Sequence, residues 1–195
     1  MANNVYSNLS VVKISLEGQR VWDSIIERIE NLEHNKHLTG LFYEADENGY
    51  WIVPEGEYAG DKVGAKWAFP QDWDEEHLQV ESAWSPVIPL ADYIAKEIGK
   101  VDPSVQLVMT YEDEFPNFIG VTTFTAEGMD IDNELDHDDM LEMIFTQYPD
   151  LKEFWDKDEC DWKEGKEEEG YDALTEVQWD AMNEWQDKNA EWSNG

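Results

Sequence analysis

Residues 105–125, VQLVMTYEDEFPNFIGVTTFT, decide the fold class. Two β-branched and aromatic runs, 105–112 and 117–125, flank the link EDEFP, which is short enough for a hairpin, so they read as an antiparallel strand pair. Upstream, Pro86 and Pro89 end a strand over 77–84, in which Leu78, Val80 and Trp84 are expected on one side and Gln79 and Glu81 on the other. A helix over about 88–98 then places Leu90, Tyr93, Ile94 and Ile98 on one face, with Gly99 as its C-terminal cap. Nearer the start, 5–14 reads as a strand and 17–32 as a helix whose stripe Val21, Trp22, Ile25, Ile26, Ile29 and Leu32 is core. Between them, 40–53 reads as two short strands around Asn48-Gly49. A polar stretch to about residue 75 follows, pinned by Trp67, Phe69 and Trp73. Strands and helices in this arrangement specify an antiparallel α+β domain.

Three further segments give that domain a resemblance. Val63-Gly64-Ala65-Lys66-Trp67 is followed by Ser82-Ala83-Trp84-Ser85-Pro86 and then by Tyr111-Glu112 with Phe118 and Gly120. In order and spacing, together with the opening NVYSNLSVV, they resemble the YubB-like family of plasmid and bacteriophage proteins over residues 3–125. One departure is Lys62-Val63, where that family carries Asn-Trp. The resemblance implies a ferredoxin-like α+β sandwich and a mobile-element origin. It implies no chemistry, since a fold alone never specifies an activity, and its aromatic, proline and glycine positions (Trp67, Trp84, Pro86, Gly120) read as packing and turn residues.

Beyond residue 125 the composition changes. Residues 127–139 hold seven acids: Glu127, Asp130, Asp132, Glu134, Asp136, Asp138 and Asp139. Asp136 is placed to cap a helix running to about Tyr148, with Met140, Ile144, Phe145 and Tyr148 inward. A short helix near Leu151, Phe154 and Trp155, a loop over 158–171 and a last helix over about 173–192 complete the expectation. Leu174, Val177, Ala181, Trp185 and Trp192 form the apolar side of that last helix. Five of the ten tryptophans fall in the last 41 residues, too aromatic for a disordered acidic tail, so residues 126–195 are expected as an acidic, helical extension docked on the 1–125 domain.

Charge sets the function classes. The 195 residues carry 46 acids against 13 Lys and Arg, a net −33. It is graded: −10 over residues 1–100, −13 over 101–150 and −10 over 151–195. Such a surface repels phosphate, which argues against direct nucleic-acid or anionic-membrane binding and favours a basic protein as partner. One cysteine, Cys160, permits no internal disulfide, and the first residues carry no signal-peptide pattern, so a cytoplasmic protein is expected, in the host cytoplasm if phage-encoded.

No motif specifies a reaction or a cofactor. The run from Asp130 looks like a calcium loop, but Leu135 and Leu141 stand where the turn glycine and the bidentate glutamate belong. His34 and His37 with Glu33 lack further ligands at zinc spacing, and acidic neighbours hold the Cys160 thiol unreactive. Carboxylates are too abundant for any pair to signal acid–base catalysis. The expectation is therefore a non-enzymatic, phage-type protein that binds and inhibits a nucleic-acid-binding or defence protein through a DNA-mimicking acidic surface. Its acidic contacts would be Asp130, Asp132, Glu134, Asp136, Asp138, Asp139, Glu167, Glu168 and Glu169, with Trp162, Trp179 and Trp192 as aromatic anchors. The alternatives are a binding module that uses the sheet face or the Trp-rich tail, its acidity serving solubility alone, and a small-molecule-binding or enzymatic domain.

Overall fold

The computed structural model describes residues 3–33, 36–114, 117–156 and 161–190. Strands β1 (Asn4–Lys13), β2 (Ala68–Trp73), β3 (His77–Ala83), β4 (Gln106–Asp113), β5 (Phe118–Thr125) and β6 (Gly128–Asp136) form one antiparallel sheet in the order β2-β3-β1-β4-β5-β6. With α1 (Leu16–Glu30) after β1 and α2 (Ile88–Gly99) after β3, the first four strands are a ferredoxin-like β-α-β-β-α-β unit. β5 and β6 extend it beyond β4.

Helix α1 starts where the Ser15 hydroxyl accepts the Gly18 N–H and buries Trp22, Ile25, Ile26 and Ile29, as its 3.6-residue stripe requires. Helix α2 buries Leu90, Ala91, Ile94, Ala95 and Ile98. Both stripes pack on Val5, Leu9, Leu78, Val80, Leu107, Met109, Tyr111 and Phe124. Gly99 is the last residue of α2, with Lys100 as the cap. What Gly99 provides is closeness, since a Cβ there would lie 2.7 Å from the Ala126 backbone. The buried Asp102 carboxylate ties this layer together by accepting the Ser15 N–H at the head of α1 and the Ser104 N–H and hydroxyl.

Helices α3 (His137–Gln147) and α4 (Glu167–Ala190) cover the opposite face over β4, β5 and β6, leaving Asn8 and Gln79 of β1 and β3 exposed on it. Cross-strand register puts Glu112 beside Ile119 and Ile119 beside Leu135. Ile119 and Leu135 pack with Met140, Leu141, Ile144, Phe145, Ala181 and Met182. Gln186 Nε2 lies within hydrogen-bonding reach of the Tyr111 and Gly120 carbonyls and the Glu112 carboxylate, fastening α4 to β4 and β5.

Several expectations change. Residues 68–73 form a strand, not merely pins in a polar stretch. It lies at a sheet edge, where Pro70 is tolerated. Residues 40–53 make the expected tight turn, with Gly49 at φ +83 and the Asp46 carboxylate accepting the Asn48 and Tyr50 N–H groups. A single bridge, Ala45 with Trp51, stands where two strands were expected, and Leu38–Leu41 is a 3-10 turn. Trp84 lies beyond β3 at φ +73 and is 56% exposed, so Ser82, not Trp84, continues the inward row of Leu78 and Val80. The sheet also runs past residue 125, because 128–136 is a strand. The short helix near 151 is a 3-10 turn, Pro149–Glu153. Trp155–Asp156 (β7) and Asp161–Trp162 (β8) pair inside the span expected to be loop, and α4 starts earlier than expected, at Glu167, because an acidic first turn suits a helix N-terminus. Among the described residues, no helix is long and apolar enough to cross a membrane.

Candidate functional site

The acids of 130–139 are organised by β6 and the start of α3. A turn at Gly128, φ +105, brings the chain back along β5, and the Asp92 carboxylate of α2 accepts the Met129 N–H at 2.8 Å. The pairing shifts register between Thr123 and Phe124, leaving Asp130 as the extra residue of a bulge. Beyond it, Asp132, Glu134 and Asp136 fall opposite Thr122, Gly120 and Phe118, so they share one face, while Ile131, Asn133 and Leu135 share the other.

Tyr111 holds two of these carboxylates. Its ring crosses β5 at Gly120, where a Cβ would lie 2.0 Å from the ring carbon that bears the hydroxyl. The hydroxyl thereby reaches Glu134 Oε2 at 3.1 Å and Asp132 Oδ1 at 3.2 Å, and the Thr122 hydroxyl donates to the same Asp132 oxygen at 2.7 Å. Burial, reinforced by the charges of Asp132 and Glu134, pushes the Tyr111 phenol far above its ordinary range. It stays a neutral donor with one proton for two carboxylates.

Asp136 caps α3, accepting the Asp139 N–H at 3.0 Å, and Asp138 and Asp139 occupy that helix's first turn. All six residues, Asp130, Asp132, Glu134, Asp136, Asp138 and Asp139, are exposed. The sequence holds no Lys or Arg between Lys100 and Lys152, and among the described residues no Lys or Arg forms an ion pair with any of the six. The run that looks like a calcium loop is thus mostly extended strand, its alternate residues pointing to opposite faces. Among the described residues no group of three or more His, Cys, Asp and Glu is arranged to hold a metal ion.

The remaining expected contacts lie elsewhere. Glu167, Glu168 and Glu169 form the first turn of α4, and Lys166 pairs with Glu169. Backbone hydrogen bonds at this helix start hold the Glu167 carboxyl below its usual range. The turn lies next to Trp162, which reaches Phe145 in the last turns of α3 through Trp155, so the structure does not join it to the β6 acids. Trp162, expected as an exposed anchor, is 7% exposed: it meets Trp155 edge-on at 5.1 Å and Tyr171 at 5.2 Å, and Gly170 leaves room for its ring. It is a packing residue of the second core. Trp179 is 41% exposed and available at the surface. Trp192, Cys160 and His34 lie outside the described residues. His37 packs between Trp51 and Phe69, and its Nδ1 accepts the Thr39 N–H; burial lowers its pKa, consistent with that acceptor role.

Two features were missed from sequence. One is the Tyr111, Gly120 and Thr122 support, visible only once the strand register is known. The other is a groove of about 560 Å³ along α3, floored by Leu141, Phe145 and Trp155 and rimmed by Asp138, Glu142 and Lys152. It begins at Asp138, in the first turn of α3, and so adjoins the acidic edge.

Fold and site together define a ferredoxin-like α+β protein with a two-helix second layer and an acidic strand at one sheet edge. Compared with family models, curated proteins and solved structures, the chain finds no match.

Proposed function

We propose that this chain is a non-enzymatic binding protein whose acidic edge, β6 with the first turn of α3, captures and inhibits a basic protein that ordinarily binds nucleic acid or acts in defence. The observation that carries this reading is the row itself. Asp132, Glu134 and Asp136 repeat on one strand face at about 6.6 Å, continue into Asp138 and Asp139, and have no Lys or Arg ion-pair partner among the described residues. A duplex carries one charge per ~1.7 Å of axis, denser than one row of carboxylates. The row therefore supplies a local contact, while the net −33 supplies the long-range field that steers a basic partner. The resemblance to a plasmid and phage family supports a role against a host protein in the host cytoplasm.

A second reading has its own observation: the groove floored by Leu141, Phe145 and Trp155 favours a binding module anchored by apolar contact, with acidity serving solubility.

The test is a tagged pull-down from bacterial lysate, washed at low and high salt, with a variant in which Asp130, Asp132, Asp136 and Asp138 are replaced by Asn. Asn still caps α3. Charge capture predicts a basic partner retained at low salt, released at high salt, and bound about tenfold or more weakly by the variant, with a flatter salt dependence. Equal retention by both proteins at all salts would move the reading to the groove.

A further inference from the structure

The two edges of the sheet are treated differently. At one, β2 is six residues long, contains Pro70, shifts register between Pro70 and Asp72, and has the Leu38–Leu41 turn packed beside it. Each of these features discourages another strand from pairing there. At the other, β6 is nine residues long and has no proline, and after the bulge its run Ile131–Asp136 pairs regularly with β5. Among the described residues its outer side meets no strand. An unpaired run of backbone donors and acceptors is a template for strand addition.

The side chains beside that open backbone select what can add. On one face stand Asp132, Glu134 and Asp136; on the other stands Ile131, 48% exposed. A second copy of this chain would set acids beside acids, and like charges opposite one another oppose pairing. A strand with lysine or arginine at alternate positions would gain opposite-charge pairs on one face and apolar contact with Ile131 on the other. The Thr122 hydroxyl donates to Asp132, and the single Tyr111 proton serves Glu134 or Asp132, so less side-chain freedom is lost on binding.

We propose that the outer edge of β6 accepts an extended segment of a basic protein by strand addition, its alternate Lys or Arg side chains lying over Asp132, Glu134 and Asp136. This rests on the acidic-capture reading above and adds to it a backbone contact that charge alone does not supply.

The test uses the full chain and a short peptide that alternates lysine with threonine and valine, beside two versions of it N-methylated at the odd or at the even residues. Methylation removes backbone donors and leaves the charge unchanged. Binding is followed by fluorescence anisotropy, and amide hydrogen exchange is read across residues 131–136. Strand addition predicts that one methylated peptide binds about tenfold or more weakly while the other keeps the parent affinity. It also predicts slowed exchange of β6 amides with the parent peptide. If both methylated peptides bind as the parent does, strand addition is overturned and capture by charge stands. If no lysine peptide binds, strand addition is again overturned, and the Asn-variant pull-down then decides separately whether the acidic surface captures a partner.

Discussion

The layer of α1 and α2 and the layer of α3 and α4 cover opposite faces of one sheet by different means. The first is a continuous apolar interior: Trp22, Ile25 and Ile29 of α1 and Leu90, Ile94 and Ile98 of α2 lie almost fully buried against five strands, β1 to β5. The second is smaller and mixed. Its fully buried apolar residues are few, Trp155 and Trp162 seal one end by edge-on contact, and at the sheet α4 is held by Gln186 beside a carboxylate. Burial of apolar surface needs no matched partners, whereas a buried polar contact depends on every member being satisfied. The first layer is therefore expected to carry the stability of the fold, and the second to be the part that opens first.

Two substitutions bear on that difference. Trp22→Ala removes a fully buried ring whose indole N–H donates to the Asp74 carbonyl at 3.1 Å. A loss of about 3–5 kcal/mol is expected, enough to unfold both layers together in urea followed by tryptophan fluorescence and circular dichroism. Ile144→Ala, in the second core, is expected to cost about 2–4 kcal/mol and to act locally. Hydrogen exchange should quicken across α3 and α4 while the amides of β1, β3 and β4 keep their protection. Uniformly faster exchange in all elements would show instead that the two layers are one cooperative unit.

The same difference governs what the sequence discloses. The stripe from Val21 to Ile29 and the prolines after β3 speak locally, so α1, β3 and α2 are readable within a residue or two. The Asp136 cap is equally local. The strand β6 is harder, because Asp, Asn and Glu are depleted in strands and a run of them reads as solvated loop. Its signal is nonetheless present: Ile131, Asn133 and Leu135 alternate with Asp132, Glu134 and Asp136 at a period of two. In β2 the proline hides an edge strand that only an edge position allows. Contacts that depend on register are out of reach altogether. Tyr111 lies nine residues before Gly120 and more than twenty before Asp132 and Glu134, and nothing in their spacing says that one ring passes over a missing side chain to join them. Trp162 shows the reverse case: a tryptophan among acids reads as a surface anchor, and a facing glycine, Gly170, makes it core.

The polar fastening of the second layer supplies the finest test. Glu112 lies on the face that α4 covers; burial raises its carboxyl pKa, and the Gln186 hydrogen bond offsets only part of that. A carboxyl with a raised folded-state pKa binds more protons folded than unfolded, so its contribution grows as pH falls through the folded pKa and is lost above it. The charged form of Glu112 is therefore disfavoured under α4, and above the ordinary glutamate range this carboxyl works against docking of the helix. Glu112→Gln keeps an oxygen for Gln186 and removes the charge. It is expected to raise the stability of the second layer at pH 7 by about 0.5–1 kcal/mol, read as slower exchange in α4. Relative to the parent the gain should shrink on acidification and vanish below the ordinary glutamate pKa, where both side chains are neutral. A gain that persists unchanged at low pH would place its origin in packing, and a loss at pH 7 would mean that the charged carboxylate fastens α4 better than its amide does.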